Sequence, residues 1–380
     1  MSSVNLAGIY VHIPFCTSKC PYCDFLSLGG FGEVDDLYLV GLAAEMDYLK
    51  VSLPLPCLFD TIYFGGGTPS LLTPQQVERI LTKLRQTFPL GSNLEVTLEA
   101  NPGSLSSQKL RGYRQAGVNR LSLGVQALDP EDLKILGRRH DAKQAREAFQ
   151  EAVAAGFENI NIDLIFGIPG QSLDRWAKTL KEIVRWGPVH ISPYCLTVEP
   201  GTPLGEQVAT GKVVVPEDAL QAEMYRYTID FLRTAGYEHY EISNFSRQRP
   251  CRHNLHYWYN DWYLGLGWGA HSHFYGARFA NETSLADYLR EYTKPQPQIY
   301  RTYLSPYVCM QETMFMGLRL LEEGVSVERF VERFGKSPYT VFSEELEHLQ
   351  RLGLIQCLPS RIRLSARGVF FGNRVFAEFV

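Results

Sequence analysis

Cys16, Cys20 and Cys23 stand in the run His12-Ile-Pro-Phe-Cys-Thr-Ser-Lys-Cys-Pro-Tyr-Cys-Asp-Phe25, a C-x3-C-x2-C spacing with no fourth cysteine beside it. Three thiolates on one short loop can hold three irons of a 4Fe-4S cubane and leave the fourth iron open to a ligand. An open iron is a place to do chemistry. A structural zinc site asks instead for four closed ligands in paired spacings, and Cys57, Cys195, Cys251, Cys309 and Cys357 are scattered singly. Behind the cysteine loop comes Gly65-Gly66-Gly67-Thr68-Pro69, whose bare backbone lets a ligand approach closely. Glu99 can bond an amine or hydroxyl of that ligand, and Tyr22 can stack on a flat ring.

These residues must be positioned by a scaffold, and the chain has the means to build one. Its 380 residues are 45% apolar, enough for one large domain and a small one. A net charge of -4 gives no basic field toward nucleic acid or anionic membrane. No basic leader precedes an apolar run and no stretch of about 18 apolar residues occurs, so no integral membrane segment is expected and the expected location is cytoplasmic. Eight cysteines without a secretory signal read as reduced thiols.

Short β-branched or aromatic runs begin near Gly8, Asp60, Asn93, Arg120, Asn159 and His190, each followed by a helix-period segment. Six such alternations predict an α/β fold with a parallel sheet, a partial (β/α)6 TIM-like barrel open on one side, with chemistry at the strand C-terminal ends. Thr73-Pro-Gln-Gln76 and Asp141-Ala-Lys-Gln144 read as capping boxes, with Val77, Ile80, Leu81 and Leu84 as an apolar stripe and Gly156 as a helix stop. A later helix carries Leu220, Met224, Tyr227 and Phe231 on one face. Domain boundaries are expected at 1–235 for the barrel, 236–293 for an extension dense in aromatics, histidines and glycines, and 294–380 for a C-terminal unit after the linker Lys294-Pro-Gln-Pro-Gln298. Three helices and a two-strand wing make that last unit winged-helix-like, and Glu344, Glu345 and Glu347 on its presumed recognition helix argue for a packing role rather than DNA binding.

The cysteine loop, Gly66-Gly-Thr-Pro69, Leu121-Ser-Leu-Gly-Val-Gln126, Arg138-Arg-His140 and Asn161-Ile-Asp-Leu-Ile-Phe-Gly-Ile-Pro169 together resemble the radical S-adenosylmethionine superfamily, and within it the oxygen-independent coproporphyrinogen III oxidase family, over nearly the whole chain. The resemblance implies Cys16, Cys20 and Cys23 as ligands of a 4Fe-4S cluster. It implies Tyr10, Tyr22, Gly66, Gly67, Thr68 and Glu99 near S-adenosylmethionine, and Gln126, Arg138 and Asp163 near a second molecule of that cofactor. Two features separate this chain from the oxidase branch. Phe25 stands where the oxidase has a fourth cysteine, and 15 residues precede Cys16 where the oxidase has a longer extension.

The haem-chaperone branch carries an H-N-x-x-Y-W motif, matched here by His253-Asn254-Leu-His-Tyr257-Trp258. A neutral imidazole is a good axial ligand for haem iron, and Tyr257 and Trp258 offer flat surface to a porphyrin. Cys251, His256, His271 and His273 are competing donors, and the bland alternative is an aromatic cluster packing the barrel's open side. No C-x-x-C-H motif occurs, so covalent attachment is not expected. The expected function is a haem chaperone with haem as cargo and an unidentified haem-acceptor protein as partner. The alternatives are the radical decarboxylation of coproporphyrinogen III and, against the charge, radical modification of RNA.

Overall fold

The computed structural model of the chain describes residues 5–54, 57–247, 249–292, 294, 297 and 299–380. The expected linker falls largely on 295, 296 and 298, outside the described residues. The six expected strands are β1 (Asn5–Ile13), β2 (Cys57–Gly66), β3 (Leu90–Ala100), β4 (Arg120–Gln126), β5 (Asn159–Phe166) and β6 (His190–Cys195). They pair in that order and all in parallel. Helices connect them on the outer side, because a parallel neighbour can be reached only by a crossover.

The stretch after Tyr237 adds strands to both edges. The hairpin of β7 (Glu238–Glu241) and β8 (Asn244–Ser246) runs antiparallel beside β6. On the other edge β9 (Trp262–Leu266) lies parallel to β1, followed by antiparallel β10 (His271–Phe274), β11 (Ala277–Ala280) and β12 (Thr302–Tyr303). The result is one twelve-stranded sheet whose end strands, β7 and β12, do not meet, so the barrel stays open. A seventh parallel strand was not expected. Gly265 weakens the strand signal of β9, and its partner β1 lies some 250 residues earlier, beyond any local pattern.

Local punctuation follows the sequence closely. The helix Pro74–Thr87 begins on a complete Thr73/Gln76 capping box and buries Val77, Ile80, Leu81 and Leu84. The helix Ala142–Ala154 begins on the Asp141/Gln144 box, and Gly156 at φ 89° ends it, with Phe157 N–H donating back to Ala152. The helix Asp218–Thr234 packs the expected face against the core, with Met224 buried and Leu220, Tyr227 and Phe231 partly so, and it also buries Thr228, Ile229 and Leu232. Thr228 accepts the buried indole N–H of Trp176 at 2.8 Å, which widens the buried face beyond the apolar stripe.

The C-terminal part has a core of its own around Met314, Phe330, Phe342, Leu349 and Ile362. Helices Pro306–Gly317, Val327–Phe334 and Ser343–Arg351 precede the wing of β14 (Ile355–Leu358) and β15 (Arg361–Leu364), and β13 (Val325–Ser326) adds a third short strand. Glu344 and Glu347 are exposed. Among the described residues no helix is long and apolar enough to cross a membrane.

A close backbone approach joins the glycine turn to the cysteine loop. Gly67 and Thr68 N–H groups donate to Ile13 and Phe15 carbonyls, each at 2.8 Å. Gly66 has φ 112°, and a Cβ there would sit 2.4 Å from His12 Nδ1. Gly66→Ala therefore strains the backbone and collides with the imidazole, and is expected to lower the free energy of unfolding by about 1–3 kcal/mol in urea titration.

Candidate cofactor cavity and the histidine helix

The cysteine loop leaves β1 and returns beside it. Leu28 N–H donates to Pro14 at 2.7 Å, Cys16 N–H donates to Leu28 at 2.8 Å, and His12 Nε2 bonds the Leu26 carbonyl at 2.8 Å. With both ends stitched, the loop stands as a fixed arch over the strand ends. Pro21 is gripped from two sides: its carbonyl accepts Leu204 N–H at 2.8 Å, and its ring packs under Gly137, where a Cβ would meet it at 2.6 Å.

Cys16, Cys20 and Cys23 line one rim of a cavity of about 530 Å³, half-buried and free of disulfides. Among the described residues no three Cys, His, Asp or Glu side chains converge tightly enough to hold a single metal ion. Sulfurs spread along a rim suit a cluster, in which each thiolate takes a different iron. Side-chain donors reach two of them. Thr68 hydroxyl points to Cys16 Sγ at 3.4 Å, and Arg138 Nη1 points to Cys20 Sγ at 3.6 Å. Burial raises the Cys23 thiol, a cost that bonding to iron as thiolate would remove.

Strand register delivers the rest of the lining. His12 stands opposite Gly65, Glu99 opposite Ser122, and Gly124 opposite Asp163, so successive strands end at one level. Tyr22, Gly66, Gly67, Thr68, Glu99, Gln126, Arg138 and Asp163 all face the same cavity as the cysteines. Gln126 ends β4 on a bulge with φ 67°, a left-handed conformation in which its side chain faces the cavity. Tyr10 sits behind this lining, bonded to His12 Nδ1 at 3.0 Å and stacked on Tyr63 at 6.2 Å.

Glu99 is the most perturbed acid here. Loss of water pushes its carboxyl up to about 7, against the Tyr63 hydroxyl, which donates at 2.8 Å and pulls it down, while Asp163 adds repulsion. Gly66 N–H also donates to it at 3.2 Å. Asp163 is raised as well, by burial, and is held by Ser122 and Asn161, both at 2.8 Å. Two enclosed carboxylates, a guanidinium and main-chain donors beside three thiols form a donor set that fits an iron-sulfur cluster and an amino-acid-bearing cofactor. Sequence reasoning missed Tyr63, Tyr194 and Cys195 on the same wall. The rule that strand C-terminal ends carry function could have found all three.

His253, Asn254, Tyr257 and Trp258 lie on the helix Arg252–Trp258, away from the cavity lining. Glu95 caps that helix from β3, accepting the N–H groups of Arg252 and His253 at 3.3 and 3.1 Å. His253 is 1% exposed, and both ring nitrogens are engaged, Nδ1 with Thr61 Oγ1 at 2.8 Å and Nε2 with the Tyr257 hydroxyl at 2.9 Å. Its face stacks on Tyr63, ring centres 5.1 Å apart, so one tyrosine separates it from the cavity. Trp258 turns the other way, under the Arg319 guanidinium at 4.5 Å. Of the competing donors, Cys251, His256 and His273 are buried and His271 is exposed. His256 is tied to Asp60 at 2.7 Å; despite burial, which lowers it, bonds to Asp261 and Asp60 push it up to about 9.

Residues 10–183 match the family model of the radical SAM superfamily, and residues 304–371 that of the HemN C-terminal domain. A protein of Lactococcus lactis named heme chaperone HemW is 36% identical over 98% of this chain and 96% of its own length. One of the same name from Bacillus subtilis is 36% identical over 99% of both. The solved structure of coproporphyrinogen III oxidase (HemN) from Escherichia coli superposes with a TM-score of 0.83 over 99% of this chain and 90% of its own, at 24% identity, and so shares the fold. A cysteine arch at the open end of a parallel strand array, together with relatives matched from end to end, places the chain in the HemW family of radical S-adenosylmethionine proteins.

Proposed function

We propose that this chain is a haem chaperone: Cys16, Cys20 and Cys23 hold a 4Fe-4S cluster, the cavity beside them holds S-adenosylmethionine, and residues 253–258 hold haem for delivery to an acceptor protein. The reading is carried by one juxtaposition. Tyr63 is a wall of the cofactor cavity on its hydroxyl side, through Glu99, and the stacking partner of His253 on its ring face. Relatives named heme chaperone, matched along almost the full length, support it. Phe25, 60% exposed at the cavity mouth where the oxidase branch has a fourth cysteine, separates it from the porphyrinogen-decarboxylating branch.

When bound, a reduced cluster of this type can pass an electron to the sulfonium of S-adenosylmethionine. The chain's own part is to hold and orient. Glu99 accepts from the amine or hydroxyl groups of the cofactor, Gly66 and Gly67 admit it to the backbone, and Tyr22 flanks it. His253 reaches haem iron only after leaving Tyr257 or Thr61, so loading needs the helix Arg252–Trp258 to shift. In this division of labour residues 1–235 hold the cofactors, 236–293 the cargo, and 294–380 brace the histidine helix through Arg319.

Four outcomes are expected. Alanine in place of Cys16, Cys20 and Cys23 abolishes iron and sulfide uptake on anaerobic reconstitution. Haem titration of the reconstituted protein gives a Soret band that His253→Ala shifts, with affinity lowered roughly tenfold or more, about 1.4 kcal/mol; an unchanged spectrum and affinity would remove His253 as ligand. No protoporphyrinogen forms from coproporphyrinogen III with dithionite and S-adenosylmethionine, and its appearance would install the oxidase reading instead. For Glu99 the sign follows from burial, which raises its carboxyl. The ionised carboxylate is the acceptor, so cofactor affinity rises with pH through about 7, and Glu99→Gln flattens that dependence and weakens binding by about ten- to a hundredfold in calorimetry.

A further inference from the structure

The three thiols of the arch are not equivalent. Cys16 has a neutral donor in Thr68, whereas Cys20 has a cation in Arg138. The guanidinium is aimed rather than loose. Its Nη2 donates to the Gly124 carbonyl at 2.7 Å. Its Nε is buried without a partner. The residue before it, Gly137, adopts φ 64° and presses on Pro21, next in chain to Cys20, so the loop bearing the charge and the loop bearing the sulfur are packed as one unit. Arg138 and Cys20 also line a second, smaller cavity of about 230 Å³.

We propose that Arg138 is a positioning residue for the cluster itself: its charged N–H bond to Cys20 sets the reduction potential, a role distinct from contact with a second cofactor molecule. Reduction adds one electron, supplied by an external one-electron donor, and spreads one more negative charge over irons and sulfurs. A fixed cation and an N–H···S bond stabilise that reduced form more than the oxidised one, and so make the potential less negative. A neutral hydroxyl does the same more weakly, which ranks Thr68 below Arg138.

The inference rests on the cluster assignment, so iron and sulfide are counted first; a wild-type protein that holds none sinks both. With the cluster in place, potentiometric titration with dithionite, followed by electron paramagnetic resonance and without S-adenosylmethionine, is expected to give a more negative midpoint for Arg138→Gln and Arg138→Met. Arg138→Lys keeps the charge but loses the fork and falls between them and wild type, and Thr68→Val shifts less than the neutral variants at 138. Equal midpoints across loaded proteins, with only cofactor affinity reduced, would overturn the proposal and leave Arg138 a cofactor contact. Should the neutral variants refuse the cluster, Arg138→Lys decides, since a midpoint identical to wild type overturns the proposal on its own.

Discussion

Parallel pairing of β1 through β6 is the constraint on which the rest of this molecule depends. A parallel ladder sends every C-terminal end to the same rim, so groups more than a hundred residues apart in sequence become neighbours without any direct link between them. Glu99 meets Ser122 and Gly124 meets Asp163 because the register says so. The cysteine arch adds one requirement. It must stand close to β2, and only a glycine turn allows the approach, since side chains at Gly66 and Gly67 would enter His12 and the backbone of residues 13–15.

An open barrel has an interior that apolar side chains do not fill alone. Here the interior is polar and largely hydrogen-bonded, with Arg120 Nε and Thr97 Oγ1 buried without a partner. Asn161 takes His190 Nδ1 at 2.6 Å and Ser192 at 2.9 Å, and His190 passes on to the Tyr240 hydroxyl at 2.8 Å. Arg120, 2% exposed, stays charged against its burial because Cys251 and Glu95 lie close. Buried polar networks of this kind cost stability unless every member is paired, and they define one arrangement when they are. Glu95 belongs both to this interior and to the cap of the histidine helix, so the core of the barrel also fixes the entry of that helix.

The far edge of the sheet is held by a second buried acid. Glu45 accepts Gly267 N–H at 2.8 Å, Tyr288 at 2.7 Å and Asn281 at 2.6 Å, and burial pushes its carboxyl up to about 7 despite these bonds. It ties the helix Asp36–Ser52, which follows the cysteine arch, to the turn after β9. The strand that completes the parallel array is thus fastened to the helix that follows the cysteine arch. Opening on that side would disturb both.

Read along the chain, the residues determined a good deal by themselves. The thiolate spacing, the six strand and helix alternations, two capping boxes, the Gly156 stop and the wing of the C-terminal part all rest on interactions within a few residues, and such interactions are written locally. So was the set around the cavity, because motifs at strand ends converge once the strands are parallel. Only tertiary structure decided the rest. β9 pairs with β1 across some 250 residues, Thr228 of the helix Asp218–Thr234 is buried to take the Trp176 indole N–H, and His253 is sealed by Thr61, Tyr257 and Tyr63 instead of facing the cavity. Each of these depends on which distant group arrives to take a hydrogen bond or cover a ring, and no local pattern carries that information.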